Sequence, residues 1–243
     1  MPLPILMYHS IARVDHDPNA LCVPPERFAQ QLATLRAVGL RGVGVGELLA
    51  ARRRGEGRNL VGLTFDDGYA DFLTAAVPIL EDHGCGATVY VLSGRPGGTN
   101  AWDPEPRLDL LTGDQIREVA QRGMEVGSHG RLHQRLTDLT ADALEAEIAG
   151  SRDELAGVLG TAPAGFCYPY GAVDAGVLQA TAAAGYVYAC AVKVATPSTF
   201  ALRRFFVGPG DHPAKLLLKL GLDGLGLYGR EGPRLPTAAA PVH

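Results

Sequence analysis

The sequence has no C-x-x-C pair: Cys22, Cys85, Cys167 and Cys190 stand far apart, a spacing that suggests neither a zinc ribbon nor a disulfide framework. Unpaired thiols suit a reducing compartment. No basic block exists beyond Arg52-Arg53-Arg54, and the formal net charge is -4, so the electrostatic footprint of a nucleic-acid binder is missing. The arginine run reads as a solvated helix end. No window approaches the roughly 18 uninterrupted apolar residues of a membrane span. Leu216-Leu217-Leu218 with Leu220 and Leu222 reads instead as a short, buried helix. The opening Pro2-Leu3-Pro4-Ile5-Leu6-Met7 lacks a basic n-region, a long apolar run and a small-residue cleavage site, which predicts a cytoplasmic protein.

What is present is apolar material, 47% of 243 residues. That is enough for one large core, and single α/β domains reach this length. One domain over residues 1–228 is expected, followed by a disordered tail, 229–243, marked by Pro233, Pro236 and Pro241. Short apolar runs predict strands over 3–8, 41–45, 60–65, 87–92, 124–127, 166–168, 186–192 and 202–207. Helical spacing predicts helices over 24–38, 47–54, 72–83, 115–121, 141–159 and 173–184, with Pro78 requiring a kink or a late start in the third. Strands alternating with helices predict a parallel sheet with its site at the strands' carboxyl ends. Seven or eight such units favour a closed or nearly closed barrel over an open sheet.

Polar residues stand at several of those ends. The strand 60–65 delivers Asp66-Asp67-Gly68, the strand 3–8 delivers His9-Ser10, and the strand 124–127 delivers Ser128-His129 with His133 four residues on. Neighbouring strand residues face opposite ways, so two acids can share one site only where the chain turns. One can then hold a metal while the other handles protons. A histidine pair four apart is a weak signal by itself, equally a hydrogen-bonded strand end and a surface residue. Together with a carboxylate it makes a three-ligand catalytic metal site with positions open to water and substrate. The stretch 93–110 is long for a loop inside a domain, which predicts a functional role. Its Trp102, beside Asp103, either stacks on a sugar ring or anchors the loop to the core. Asp114 and Asp138 read as helix-start or loop residues.

The run Thr64-Phe65-Asp66-Asp67-Gly68-Tyr69, then Ser128-His129 through His133, then Tyr168-Pro169-Tyr170-Gly171, resembles the polysaccharide deacetylases of carbohydrate esterase family four. The resemblance covers about residues 3–207, and the three motifs in order are specific. It implies a distorted (β/α) barrel of about seven strands and a metal-dependent removal of acetyl groups from sugars. Asp67, His129 and His133 would bind a divalent metal, Zn2+ with Co2+ or Ni2+ as alternatives. Asp66 would act as general base, Pro169 would fix the turn, and the Tyr170 N–H would hold the oxyanion.

Two departures from the family pattern stand out. Many members carry an arginine three residues before the tyrosine of the third motif, but this chain has Cys167 there. Ala201-Leu202-Arg203-Arg204-Phe205 resembles a late motif that supplies the guanidinium in one branch, which points to Arg204; as a bare residue it is equally an exposed strand arginine. The usual carboxyl-terminal leucine-x-histidine is also absent. Ile5-Leu6-Met7-Tyr8-His9-Ser10 resembles the branch with shifted strand order and an early Tyr-His-Ser motif, which points to His9 as general acid, against a structural reading of the same histidine. The implied substrate is an N-acetylhexosamine unit in a poly- or oligosaccharide or a lipid-linked precursor. An amidase on a non-sugar amide and a catalytically silent carbohydrate-binding barrel are the rival readings.

Overall fold

Strand β3 (Leu60–Phe65) is buried along its whole length, as a parallel strand covered on both faces must be. In this computed structural model, which describes residues 3–103, 105–192 and 198–224, one edge of β3 pairs with β1 (Ile5–Tyr8). Its other edge pairs first with β2 (Arg41–Val43), then with β4 (Thr88–Val91). Beyond β4 come β5 (Glu125–Ser128), β6 (Gly165–Cys167) and β7 (Tyr188–Ala191), every pairing parallel. β8 (Leu202–Arg203) pairs with β7, and β9 (Phe205–Phe206) pairs with β1. These two short strands are one strand interrupted at Arg204, so that residue stands at the seam where the sheet closes into a nearly complete barrel. The expected distorted (β/α) barrel is therefore the fold, with seven positions in the ring and β2 outside it.

The strand period of two sorts the side chains. Leu6, Tyr8, Val61, Leu63, Phe65, Val89, Val91, Val126, Phe205 and Val207 face outward into the layer under the helices. Ile5, Leu60, Tyr90, Cys167, Tyr188, Cys190 and Leu202 fill the barrel interior. That interior is tight: a Cβ at Gly165 would lie 2.3 Å from the Tyr188 ring. Continuing the inward parity past each strand end brings His9, Asp66 and His129 to the mouth, and Arg204 joins them from the seam.

Several predicted elements differ in detail. The helix expected over 72–83 begins as a wide π turn (Phe72–Ala76) and becomes α-helical only at Val77–Asp82. Pro78 thereby falls in the first α turn, directly after the widened π turn. The long helix expected over 141–159 is α5 (Ala141–Glu145), a π turn (Ala146–Gly150) and α6 (Ser151–Leu159). The strand expected over 202–207 is instead two short strands, Leu202–Arg203 on β7 and Phe205–Phe206 on β1, with Arg204 between them. The leucine-rich helix runs Pro213–Gly224, but it is amphipathic, with Leu216 fully buried and Leu218 59% exposed. The tail expected over 229–243 lies outside the described residues. No helix among the described residues is long and apolar enough to cross a membrane.

Candidate active site

A cavity of about 430 Å³ opens at the carboxyl ends of the strands, lined by His9, Asp66, Asp67, His129, His133 and Arg204 among others. The backbone marks it independently. Among the described residues the non-glycine positions with positive φ are Ala20, Asp67, His133 and Tyr170. Three of these line the cavity, and Ala20 lies between the lining residues Asn19 and Leu21. Such conformations cost about 1–3 kcal/mol each and persist where function requires them. At Asp67 the benefit is geometric. A strand residue after the inward Asp66 would point outward, but φ 71° turns Asp67 back to the mouth beside it.

Asp67 Oδ1 lies 3.3 Å from His129 Nε2 and 3.2 Å from His133 Nε2. It is buried and accepts no hydrogen bond. His129 Nδ1 is 2.9 Å from the Cys167 carbonyl; a carbonyl only accepts, so Nδ1 carries the proton and Nε2 presents its lone pair to Asp67. Three ligand atoms thus converge within 4.8 Å of one another. Burial tends to raise the Asp67 carboxyl and lower His129, yet the imidazoles hold Asp67 well below its usual range, and Asp67 with Asp66 raises His129. The field favours a positive charge between them, and a divalent cation fits it. His133, lowered chiefly by burial, is in the neutral form that ligates metals. Its ring is wedged between Trp102, stacked at 4.4 Å, and Tyr170, edge-on at 4.5 Å.

Asp66 has a different environment. Its two oxygens accept from Arg204, Nη1 to Oδ1 at 2.6 Å and Nη2 to Oδ2 at 2.7 Å, a bidentate pair. Arg204 Nη1 also donates to Thr64 Oγ1 at 3.0 Å, and Thr64 donates to the Leu6 carbonyl at 2.8 Å. Burial would raise the Asp66 carboxyl, but the guanidinium, His129 and His9 outweigh it and hold it low. Cys167 Sγ stands 3.6 Å from both Asp66 oxygens and 2.9 Å from Arg204 Nη2. A second triad of Asp66, His129 and Cys167 is also close enough to chelate. The guanidinium occupies that space, and burial pushes the Cys167 thiol well up, away from the thiolate a metal needs.

His9 lines the cavity, and its Nδ1 is buried without a hydrogen-bond partner. Burial lowers its pKa, while Asp66 and Asp67 pull it upward. Pro169 and Tyr170 form a single 3-10 turn, Pro169–Gly171. Its bonds run from Gly171 N–H to Tyr168 O and from Ala172 N–H to Pro169 O, leaving the Tyr170 N–H out of them. All the sequence-predicted site residues therefore gather at one mouth. Trp102 meets His133 on one side and Arg95 at 5.8 Å, so its ring braces His133.

Sequence reading missed Arg135, whose guanidinium lies 5.1 Å over the Tyr170 ring at the rim, and Asn19, which donates to Asp103 Oδ1 at 3.2 Å across it. Neither sits at a strand end, and no local pattern marks them. The carboxylate Glu147, described below, had a signal: it falls on the apolar stripe with Leu144, Ile148 and Leu155.

The chain is similar to several known proteins. The Bacillus subtilis protein YxkH, which carries the name of a polysaccharide deacetylase, is 29% identical over 214 residues, 86% of this chain and 72% of that one. The structure of the Streptococcus pyogenes deacetylase PplD in complex with acetate superposes with a TM-score of 0.78 at 29% identity, covering 90% of this chain and 97% of that one. BC0361, a polysaccharide deacetylase from Bacillus cereus, gives 0.75 at 23% identity over 90% of this chain and 69% of that one, a likeness of fold. The model of the polysaccharide deacetylase family matches residues 53–189, a span that runs from β3 with its aspartate pair through both histidines to β7. With more than half of the chain matched and the motifs meeting at one barrel mouth, the chain belongs to the polysaccharide deacetylase family.

Proposed function

We propose that the chain is a metal-dependent hydrolase that removes N-acetyl groups from N-acetylhexosamine units of a poly- or oligosaccharide or its lipid-linked precursor. The observation that carries this reading is the division of the aspartate pair. Asp67 faces two imidazole nitrogens at 3.2 and 3.3 Å, while Asp66 is clamped by Arg204. A divalent metal held by Asp67, His129 and His133, zinc with cobalt or nickel as substitutes, supplies Lewis acidity, polarising a carbonyl and lowering the pKa of water towards about 7.

The chain's own residues do the rest. Asp66, kept ionised by Arg204, accepts the proton of the attacking water on a carboxylate oxygen. The new C–O bond places negative charge on the former carbonyl oxygen, which the Tyr170 N–H receives. Cleavage of the C–N bond releases acetate and an amine that must gain a proton. His9, neutral at rest through burial, lies in the field of both aspartates, and relays to the leaving nitrogen the proton that Asp66 has taken up. Pro169 holds the turn that presents the Tyr170 N–H.

The test is acetate release from N-acetylglucosamine oligomers by zinc-loaded protein, chelated protein, Asp66→Ala and His9→Ala. Loss of release on chelation and in Asp66→Ala is expected. Activity that survives chelation refutes the metal mechanism, and a fully active His9→Ala removes the relay. Turnover of simple acylamides with none of sugars assigns the amidase reading. Sugar binding without any turnover assigns the silent barrel.

A further inference from the structure

Between His129 and His133 the chain must reverse so that two imidazoles meet one carboxylate. The segment 130–133 does this through Gly130 (φ 81°) and His133 (φ 64°). Left-handed residues in a four-residue segment need external support: Ser128 Oγ accepts the Gly130 N–H at 3.1 Å, and the next two N–H groups go to one carboxylate. Glu147, 3% exposed, accepts the Arg131 N–H at 2.9 Å and the Leu132 N–H at 3.1 Å on a single oxygen, Oε2. A Cβ at Gly130 would lie 3.0 Å from that same oxygen, so the carboxylate sits directly beneath the segment. On the opposite side the Ser93 and Gly94 N–H groups donate to the Gly130 and Arg131 carbonyls, each at 3.1 Å.

Glu147 forms no salt bridge among the described residues. The nearby cation, Arg131, pairs with Glu154 at 2.7 Å instead. Burying a carboxylate without a paired cation is costly, and here the compensation is two main-chain donors of the segment that carries His133. Glu147 also sits within the π turn Ala146–Gly150, and such a turn is frequent at functional sites.

We propose that Glu147 is a positioning residue that sets the His129–His133 spacing and thereby the protein's affinity for a divalent metal. It rests on the reading that Asp67, His129 and His133 hold that metal. The test is zinc affinity of the full chain, by competition with a chromophoric chelator, together with the visible spectrum of the cobalt-loaded protein. Glu147→Ala should bind zinc about 10- to 100-fold more weakly, the usual range for an outer-shell group, with an altered cobalt spectrum. Glu147→Gln, which keeps an acceptor oxygen, should restore both. Glu147→Asp, shorter by one methylene, should fall between. Leu155→Ala, a core truncation on the adjoining helix, should lower the melting temperature with zinc affinity unchanged.

Zinc affinity in folded Glu147→Ala equal to wild type overturns the inference. If that variant does not fold, wild-type affinity in Glu147→Asp overturns it equally, as does a drop in Leu155→Ala as large as in the Glu147 variants. A wild-type chain that takes up no zinc overturns the metal site itself and this inference with it.

Discussion

Replacing Arg204 with methionine tests the link between barrel closure and Asp66, the carboxylate proposed as general base. The side chain is fully buried and makes two bonds to Asp66, at 2.6 and 2.7 Å, and one to Thr64 at 3.0 Å. Removing one partner of a buried ion pair costs about 3–5 kcal/mol, because the other charge stays behind without compensation. A domain of this kind is stable by about 5–15 kcal/mol, so the variant should fold with a clearly lower urea midpoint. The folded-state pKa of Asp66 is held down. Its stabilising contribution is therefore present in full above the unfolded carboxyl value of about 3.9 and is lost as the pH falls through the lowered folded value. In Arg204→Met the largest group opposing burial is gone and only His129 and His9 remain to oppose it, so Asp66 rises relative to wild type. The stability gap to wild type should be widest near neutral pH, narrow as the pH falls through about 4, and close below the lowered folded value. The acid limb of kcat/KM should move to higher pH, since the base is protonated earlier. Adding Asp66→Asn to Arg204→Met should recover most of the lost stability, the mark of a coupled pair. Urea melts of chelated protein at several pH values measure this. A loss below about 1 kcal/mol at pH 7, the range of an exposed pair, or a gap independent of pH, refutes the reasoning.

Three further outcomes are expected. Zinc at about 100 times its dissociation constant should stabilise the fold by about 2.7 kcal/mol, seen as a raised melting temperature that His133→Ala abolishes; an unchanged melting temperature refutes the site. Trp102→Leu removes a ring stacked on His133 at 4.4 Å and should cost about 1 kcal/mol, read as about fivefold weaker zinc binding; a raised KM with unchanged zinc affinity assigns the ring to the sugar instead. Asp103, pushed up to about 6 by burial and by Asp67, weakens the fold of chelated protein once it ionises, because its folded pKa lies above its unfolded one. Asp103→Asn should then be at least as stable as wild type at pH 7.5, with the difference vanishing below about pH 4; a variant less stable at both values refutes the shift.

Much of the site was legible because a parallel barrel turns a linear pattern into a spatial one. A short apolar run ending in a polar residue reads as a strand delivering that residue to the mouth, and Asp66, His9 and His129 follow that rule, while Asp67 and His133 reach the mouth through left-handed turns just beyond. The count of about seven strands was legible for the same reason. Features that depend on contacts between distant segments were not. Nothing local shows that 202–207 must break to close the barrel, since its two halves pair with different strands, β7 and β1. The π turns were hidden because a helix that gains one residue keeps its apolar stripe. Glu147 was hidden in plain view, an acid on that stripe whose partners lie 15 and 16 residues earlier.

Cys167 and Arg204 show how the barrel preserves a task while moving the residue that performs it. A guanidinium is the largest influence holding Asp66 down against burial, and the resemblance places one at position 167 in many relatives. Here a small side chain stands there, and the guanidinium arrives from the seam between β8 and β9 with its Nη2 2.9 Å from the Cys167 sulfur. The two positions serve one space: an arginine at 167 would have to occupy the place that Arg204 fills, and two cations would then share one carboxylate. Arg204 keeps the inward parity of Leu202, with Phe205 facing outward, and so reaches Asp66 at the barrel mouth. The segment that closes the ring, pairing with β7 through Leu202 and Arg203 and with β1 through Phe205 and Phe206, is the same one that supplies Asp66 with its counter-charge. Barrel closure at Arg204, the small residue at 167 and the lowered Asp66 pKa therefore meet at one point of the structure.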